Sequence, residues 1–81
     1  MYYAYILRRR DFPKQTYVGS TSDLQKRLAE HNTGKSIHTN KFKPWNLMGY
    51  IALPEKHLVE QFEKYLKSGS GRAFANKHLP M

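Results

Sequence analysis

The stretch Tyr2–Arg10, YYAYILRRR, constrains this chain most. Strand alternation puts Tyr3, Tyr5 and Leu7 on one face and Tyr2, Ala4 and Ile6 on the other. Both faces are largely apolar or aromatic, so such a strand has to be covered on two sides. In 81 residues that is a demanding requirement, because a chain this short buries only about 60% of the surface its unfolded form exposes. The expectation is a single domain over residues 1–81 with one modest core, in which any active site is a shallow surface cleft. Six Tyr, four Phe and one Trp help to fill that core, since large rings bury much area each.

The other elements follow from local signals. Asp11, Phe12 and Pro13 break the first strand. Gln15–Gly19 is predicted as its hairpin partner, with Tyr17 and Gly19 on one face and Val18 on the other. Gly19 either supplies a positive φ or lets another backbone come close. Ser22 and Gln25 have capping-box spacing at the start of a helix predicted over Asp23–Asn32, and Asp23 suits its dipole. Leu24, Leu28 and His31 form its inner stripe, and Gly34 is placed to end it. Lys35–Pro44 reads as an ordered loop or short helical turn, and Trp45–Leu53 as the third strand. Pro54 is expected to open a second helix reaching Lys67, with Leu58, Phe62, Tyr65 and Leu66 buried. Ser68–Gly71 then separates it from a third helix over Arg72–Leu79. The order β-β-α-β-α-α predicts an α+β fold, a small three-stranded sheet at least partly antiparallel and flanked by helices.

Charge narrows the partners. Fourteen Lys and Arg against six Asp and Glu give a net charge of +8 and a pI near 9.9, which calls for a polyanion. Nucleic acid, DNA or RNA, is the expected partner of such a field, the plain alternative being a merely basic soluble protein. Lys35, His38, Lys41 and Lys43, interleaved with Phe42 and Trp45, are candidate phosphate and stacking contacts. No apolar run approaches the ~18 residues of a spanning helix, no signal pattern precedes the first strand, and the basic residues are spread along the chain. A membrane is therefore not expected. The absence of cysteine excludes disulfides and thiolate metal sites and is compatible with a cytoplasmic protein.

The six acids are few enough to sort individually. Asp11 lies in a loop, and Asp23 and Glu55 suit helix starts; Glu30 can pair with Lys26, and Glu60 with Lys56 or Lys64. Glu63 borders the apolar stripe of the second helix, where it is either a flank residue paired with Lys67 or a metal-binding carboxylate. A two-metal site needs several acids to hold ions roughly 3.5–4 Å apart. A single carboxylate instead suits one Mg²⁺-like ion that keeps most of its waters. Arg27 offers a planar, permanently charged donor array for phosphate oxygens, although its ordinary role is a solvated helix arginine. Tyr17 is a strand aromatic whose phenol, a poor base at a pKa of about 10, becomes more useful beside a cation. His31, one turn after Arg27, can relay a proton or steady a hydroxyl, or serve simply as a structural histidine. His31, His38, His57 and His78 have no zinc-ligand spacing.

Taken together, Tyr3-Ala4-Tyr5, Tyr17-Val18-Gly19, the helix ending KRLAEHN and Glu63 within FEKYLKSGSGRAF resemble the GIY-YIG nuclease superfamily. The similarity is greatest to short bacterial members related to the catalytic domain of the excinuclease C subunit. It covers Tyr2 to about Leu79, with YAY standing where the family motif has GIY, and YVG for YIG. The resemblance implies a three-stranded antiparallel sheet flanked by helices and a divalent-metal-dependent endonuclease acting on DNA. It implies Tyr5 and Tyr17 as the motif tyrosines, with Tyr17 the general base or water-orienting group. Gly19 would allow close backbone packing beside the site, Arg27 would stabilise the phosphate, His31 would assist, and Glu63 would hold one Mg²⁺ or similar ion. The alternative is a non-catalytic nucleic-acid-binding module on the same scaffold.

Overall fold

A computed structural model describes residues 1–12, 14–34 and 44–78. Among them are strands β1 (Tyr2–Arg9), β2 (Thr16–Thr21) and β3 (Trp45–Leu53), and helices α1 (Leu24–Thr33), α2 (Lys56–Lys67) and α3 (Gly69–His78). The order is β-β-α-β-α-α, and the sheet is antiparallel with β1 central, β2-β1-β3. This is the expected α+β class. The central place of β1 follows from its two apolar faces. Ala4 and Ile6 pack against Val59 and Leu66 of α2 and Ala75 of α3. Tyr5 and Leu7, on the other side, pack with Trp45, Tyr17, and Leu24 and Leu28 of α1. The sheet therefore separates two core layers, α1 over one face and α2–α3 over the other.

Several boundaries differ from the expected ones, each for a local reason. β2 continues to Thr21, because Ser20 and Thr21 still pair with Ala4 and Tyr3. The α1 cap is Asp23 rather than Ser22: its carboxylate accepts the Lys26 N–H at 3.1 Å. Thr21 Oγ1 accepts the Asp23 N–H and so holds the turn before it. Gly34, with φ 84°, ends α1 as expected by donating its N–H to the Glu30 carbonyl. Asn32 then ties the helix to β3, donating to the Trp45 carbonyl at 3.0 Å and accepting the Trp45 N–H at 2.6 Å. β3 pairs Ile6 with Gly49 but Leu7 with Leu47, so Met48 is an extra residue in a bulge.

Pro54 does not open α2. The backbone stays extended through Glu55 (φ −121°, ψ 137°), and the helix starts at Lys56. Its buried residues are Val59 and Leu66, with Phe62 half-buried, while Leu58 and Tyr65 are exposed. The stripe is thus turned by about one position from the expected one, toward the spacing i, i+3, i+7. α3 starts at Gly69, three residues early, because Ser68 caps it: Ser68 Oγ accepts the Gly71 N–H. Gly71 is buried, and a Cβ there would collide with the Tyr65 carbonyl, so a side chain would prevent the close crossing of α2 and α3. Ala75 packs inward while Ala73 and Phe74 are exposed; Leu79 lies outside the described residues. No helix among the described residues is long and apolar enough to cross a membrane.

Candidate active site

The β1–β2 register brings the first group together. Tyr5 lies opposite Gly19 and Leu7 opposite Tyr17, so Tyr5, Gly19 and Tyr17 share one sheet face. A Cβ on Gly19 would stand 2.6 Å from the Tyr5 hydroxyl oxygen and 3.1 Å from the Tyr17 ring. Its φ is not positive. Neither a positive φ nor the approach of another backbone explains this glycine: its missing side chain makes room for the Tyr5 phenol.

α1 closes over that face and delivers Arg27 and His31 one turn apart. Tyr5 Oη and His31 Nε2 are 2.8 Å apart, and both residues are fully buried. The His31 ring lies 5.7 Å from that of Tyr5 and 5.1 Å from that of Tyr17, and Tyr17 also meets Trp45 at 6.2 Å. Arg27 hydrogen-bonds the Tyr5 hydroxyl and reaches Glu30 at 3.3 Å. Glu30 therefore pairs with Arg27, not with Lys26 as expected. Arginine can only donate, so the phenol oxygen accepts from Arg27 and directs its own proton to His31 Nε2. With Nε2 accepting, the single N–H of a neutral His31 is assigned to Nδ1.

The electrostatics agree with this network. Burial pushes the Tyr5 hydroxyl above the usual phenol range, against the hydrogen bond from Arg27, while Tyr17 and Glu63 add to the rise. Burial, and then the Arg27 charge, push His31 below the usual imidazole range, with Glu30 opposing. Tyr5 is thus a protonated phenol and His31 a neutral imidazole near neutral pH. Tyr17 and Arg27 are only half-buried and remain accessible from solvent.

Glu63 approaches from the other side of the sheet. Its side chain is 21% exposed, and Oε2 accepts from Lys67 Nζ at 2.7 Å. Ser20, beside Gly19 on β2, donates a second hydrogen bond to it. Burial alone would raise the Glu63 carboxyl; the bonds from Lys67 and Ser20 and the Lys67 charge outweigh it and hold the group below the usual range. The structure therefore gathers Tyr5, Tyr17, Gly19, Arg27 and His31, and sets Glu63 against the next residue of β2. A shallow groove lined by Tyr2, Ser20, Thr21, Ser22, Lys56 and Val59 opens there. Ser20 carries no sequence signal of its own, being one of three small polar residues in a row after Gly19. Lys35, His38, Lys41 and Lys43 lie outside the described residues.

Among the described residues no cluster of three or more His, Cys, Asp or Glu could hold a metal ion. An all-protein cage is excluded there. The carboxylate of Glu63 fits a different arrangement, a hard cation bound by one protein oxygen with water and substrate oxygens completing its shell.

The family model described as the GIY-YIG catalytic domain matches residues 1–77. The chain is 37% identical over 73 residues to Structure-specific endonuclease subunit SLX1 of Debaryomyces hansenii, across 82% of this chain and 21% of that protein. It is 32% identical over 85 residues to the Candida dubliniensis protein of the same name, across 96% of this chain and 28% of that one. The chain thus spans less than a third of either fungal relative. A UPF0213 protein of Streptococcus pyogenes serotype M5 is 35% identical over 72 residues, across 88% of this chain and 76% of that protein. An antiparallel sheet with two facing tyrosines, a glycine beneath them, and the family match over nearly the whole length lead to one conclusion: the chain belongs to the GIY-YIG catalytic domain family.

Proposed function

We propose that this protein is a divalent-metal-dependent endonuclease that hydrolyses DNA phosphodiester bonds. The observation that carries the reading is the convergence of Tyr5, Tyr17, Arg27 and His31 over Gly19, with Glu63 hydrogen-bonded to the adjacent Ser20. The SLX1 relatives, named as structure-specific endonuclease subunits, support the reaction class.

In this reading Arg27 meets the scissile phosphate, where its fork geometry suits two oxygens and its charge balances the negative charge that develops there. Tyr17 is the half-buried tyrosine of the group, and it orients or deprotonates the attacking water. Tyr5 is too deeply buried to touch that water; it holds Arg27 from below and is itself held by His31. Glu63 would hold an ion of the Mg²⁺ class, which supplies positive charge to the phosphate oxygens when bound. Lys67 must release Oε2 for that to happen, and the exposed lysine is free to swing outward.

Nicking of supercoiled DNA in Mg²⁺ tests the proposal. Wild-type protein is expected to nick, and Glu63→Ala and Tyr17→Phe to lose at least about 100-fold, in line with general acid–base contributions. Equal residual activity in all three proteins would mean a contaminating nuclease and end the proposal. A second reading, a non-catalytic DNA-binding module, has one observation in its favour: a lysine already occupies the Glu63 carboxylate. It predicts salt-dependent binding with no metal-dependent cleavage.

A further inference from the structure

The α1 face of the sheet carries a second aromatic group that the site above does not use. Tyr50 of β3 pairs directly with Tyr5, and Tyr3 with Ala52. The Tyr3 and Tyr50 rings meet edge to face, with centroids 5.9 Å apart and planes at 67°. Tyr50 is 58% exposed, more than any other Phe, Tyr or Trp among the described residues. Its surroundings explain why. α1 packs over Tyr17, Leu7 and Leu47 toward one end of the sheet, whereas the row beside Tyr50 has only Thr21 and Ala52 flanking Tyr3. Tyr3 fixes the orientation of the Tyr50 ring, and the small neighbours leave it open.

The occupant of this surface follows from charge and position. The three strands contain no acidic residue, and the protein carries a net charge of +8, so the overall field draws a polyanion in and the strands themselves set no negative charge against it. Gly19, Tyr5 and Tyr50 form one row across strands spaced about 4.8 Å apart. Tyr50 is therefore the immediate neighbour of the phenol that holds Arg27 and about 10 Å from Gly19. Nucleotides advance about 3.4 Å per step along one strand of a duplex, which puts a base over Tyr50 two or three steps from a phosphate at Arg27. Within continuous duplex that base is covered by its neighbours. Only an unpaired base has a free face to stack on an aromatic ring.

We propose that Tyr50, braced by Tyr3, is a stacking platform for an unpaired DNA base two or three nucleotides from the phosphate held by Arg27. The inference rests on the nuclease reading of the adjoining site. It gives that site a substrate class: DNA with a gap, flap or branch next to the cleaved bond.

The test uses the full chain in EDTA, so that cleavage plays no part, and flapped DNA with 2-aminopurine at successive unpaired positions. Binding is expected to quench the probe at one or two positions. Quenching should disappear in Tyr50→Ala and persist in Tyr50→Trp, both exposed substitutions. Tyr50→Ala should weaken flap binding roughly tenfold, the effect of losing one base–aromatic stack, and leave affinity for continuous duplex unchanged. Equal losses on both DNAs, an unchanged probe, or no binding to either would overturn the proposal. So would sedimentation showing a dimer that Tyr50→Ala dissociates, because the surface would then belong to a second copy. Failure of the nuclease reading shows separately, as absence of Mg²⁺-dependent nicking by protein that still quenches the probe.

Discussion

At the scale of single residues, the site depends on what glycine and histidine exclude. Gly19 has no conformational demand for glycine, yet a single methyl group there would intrude on the Tyr5 hydroxyl. Gly19→Ala is expected to cost about 1–3 kcal/mol of stability through overpacking and to lower nicking more than stability alone explains. Urea unfolding alongside initial rates measures both. His31 makes a pH prediction. Its folded pKa lies below its unfolded value of about 6.5. As pH falls, the unfolded chain takes up a proton first, so stability is present in full above about pH 6.5 and declines as pH drops through the folded value. His31→Gln, which cannot titrate, should flatten unfolding free energy against pH across that window; an unchanged slope would assign it to other groups.

At the scale of elements, two contacts decide how the helices present their residues. Lys67 lies one turn after Glu63 on α2, and the pair is joined at 2.7 Å. Lys67→Met is expected to tighten Mn²⁺ binding severalfold in a calorimetric titration, since no cation then competes for Oε2; weaker binding would mean that Lys67 helps to position the carboxylate. α3 meets α2 at Gly71, where any Cβ would strike the Tyr65 backbone. Gly71→Ala should therefore destabilise the fold by about 1–3 kcal/mol, lowering the melting temperature by several degrees in a domain of this size. Helix propensity alone predicts the opposite sign, because alanine is the better helix former. Thermal melts decide between them.

At the scale of the molecule, a field of +8 on 81 residues dominates encounter with a polyanion. DNA affinity should fall linearly with the logarithm of salt concentration at a slope reflecting several phosphate contacts, and a flat response would argue against backbone binding. Much of the architecture was legible because it rests on local or period-two patterns. YYAYILRR marks a strand with two apolar faces, WNLMGYIAL has the observed β3 limits, and Gly34 ends α1. The α3 start and the α2 stripe were misread because Ser68 caps across two glycines and because packing against β1, not propensity, sets the rotation of α2. The pairing of Arg27 with Glu30 was equally hidden, since Lys26 and Arg27 are both within helical reach of it.

By itself, then, the sequence determined the element order, the net charge and the residue types available for chemistry, because periodicity, turn residues and ionisable groups are properties of neighbouring positions. Tertiary structure alone decided that Tyr5 is buried against His31, that Gly19 is needed for space rather than for φ, and that Glu63 is held by Ser20 and Lys67. Those outcomes depend on register and on which helix covers which face, and groups far apart in the chain meet only after both are set.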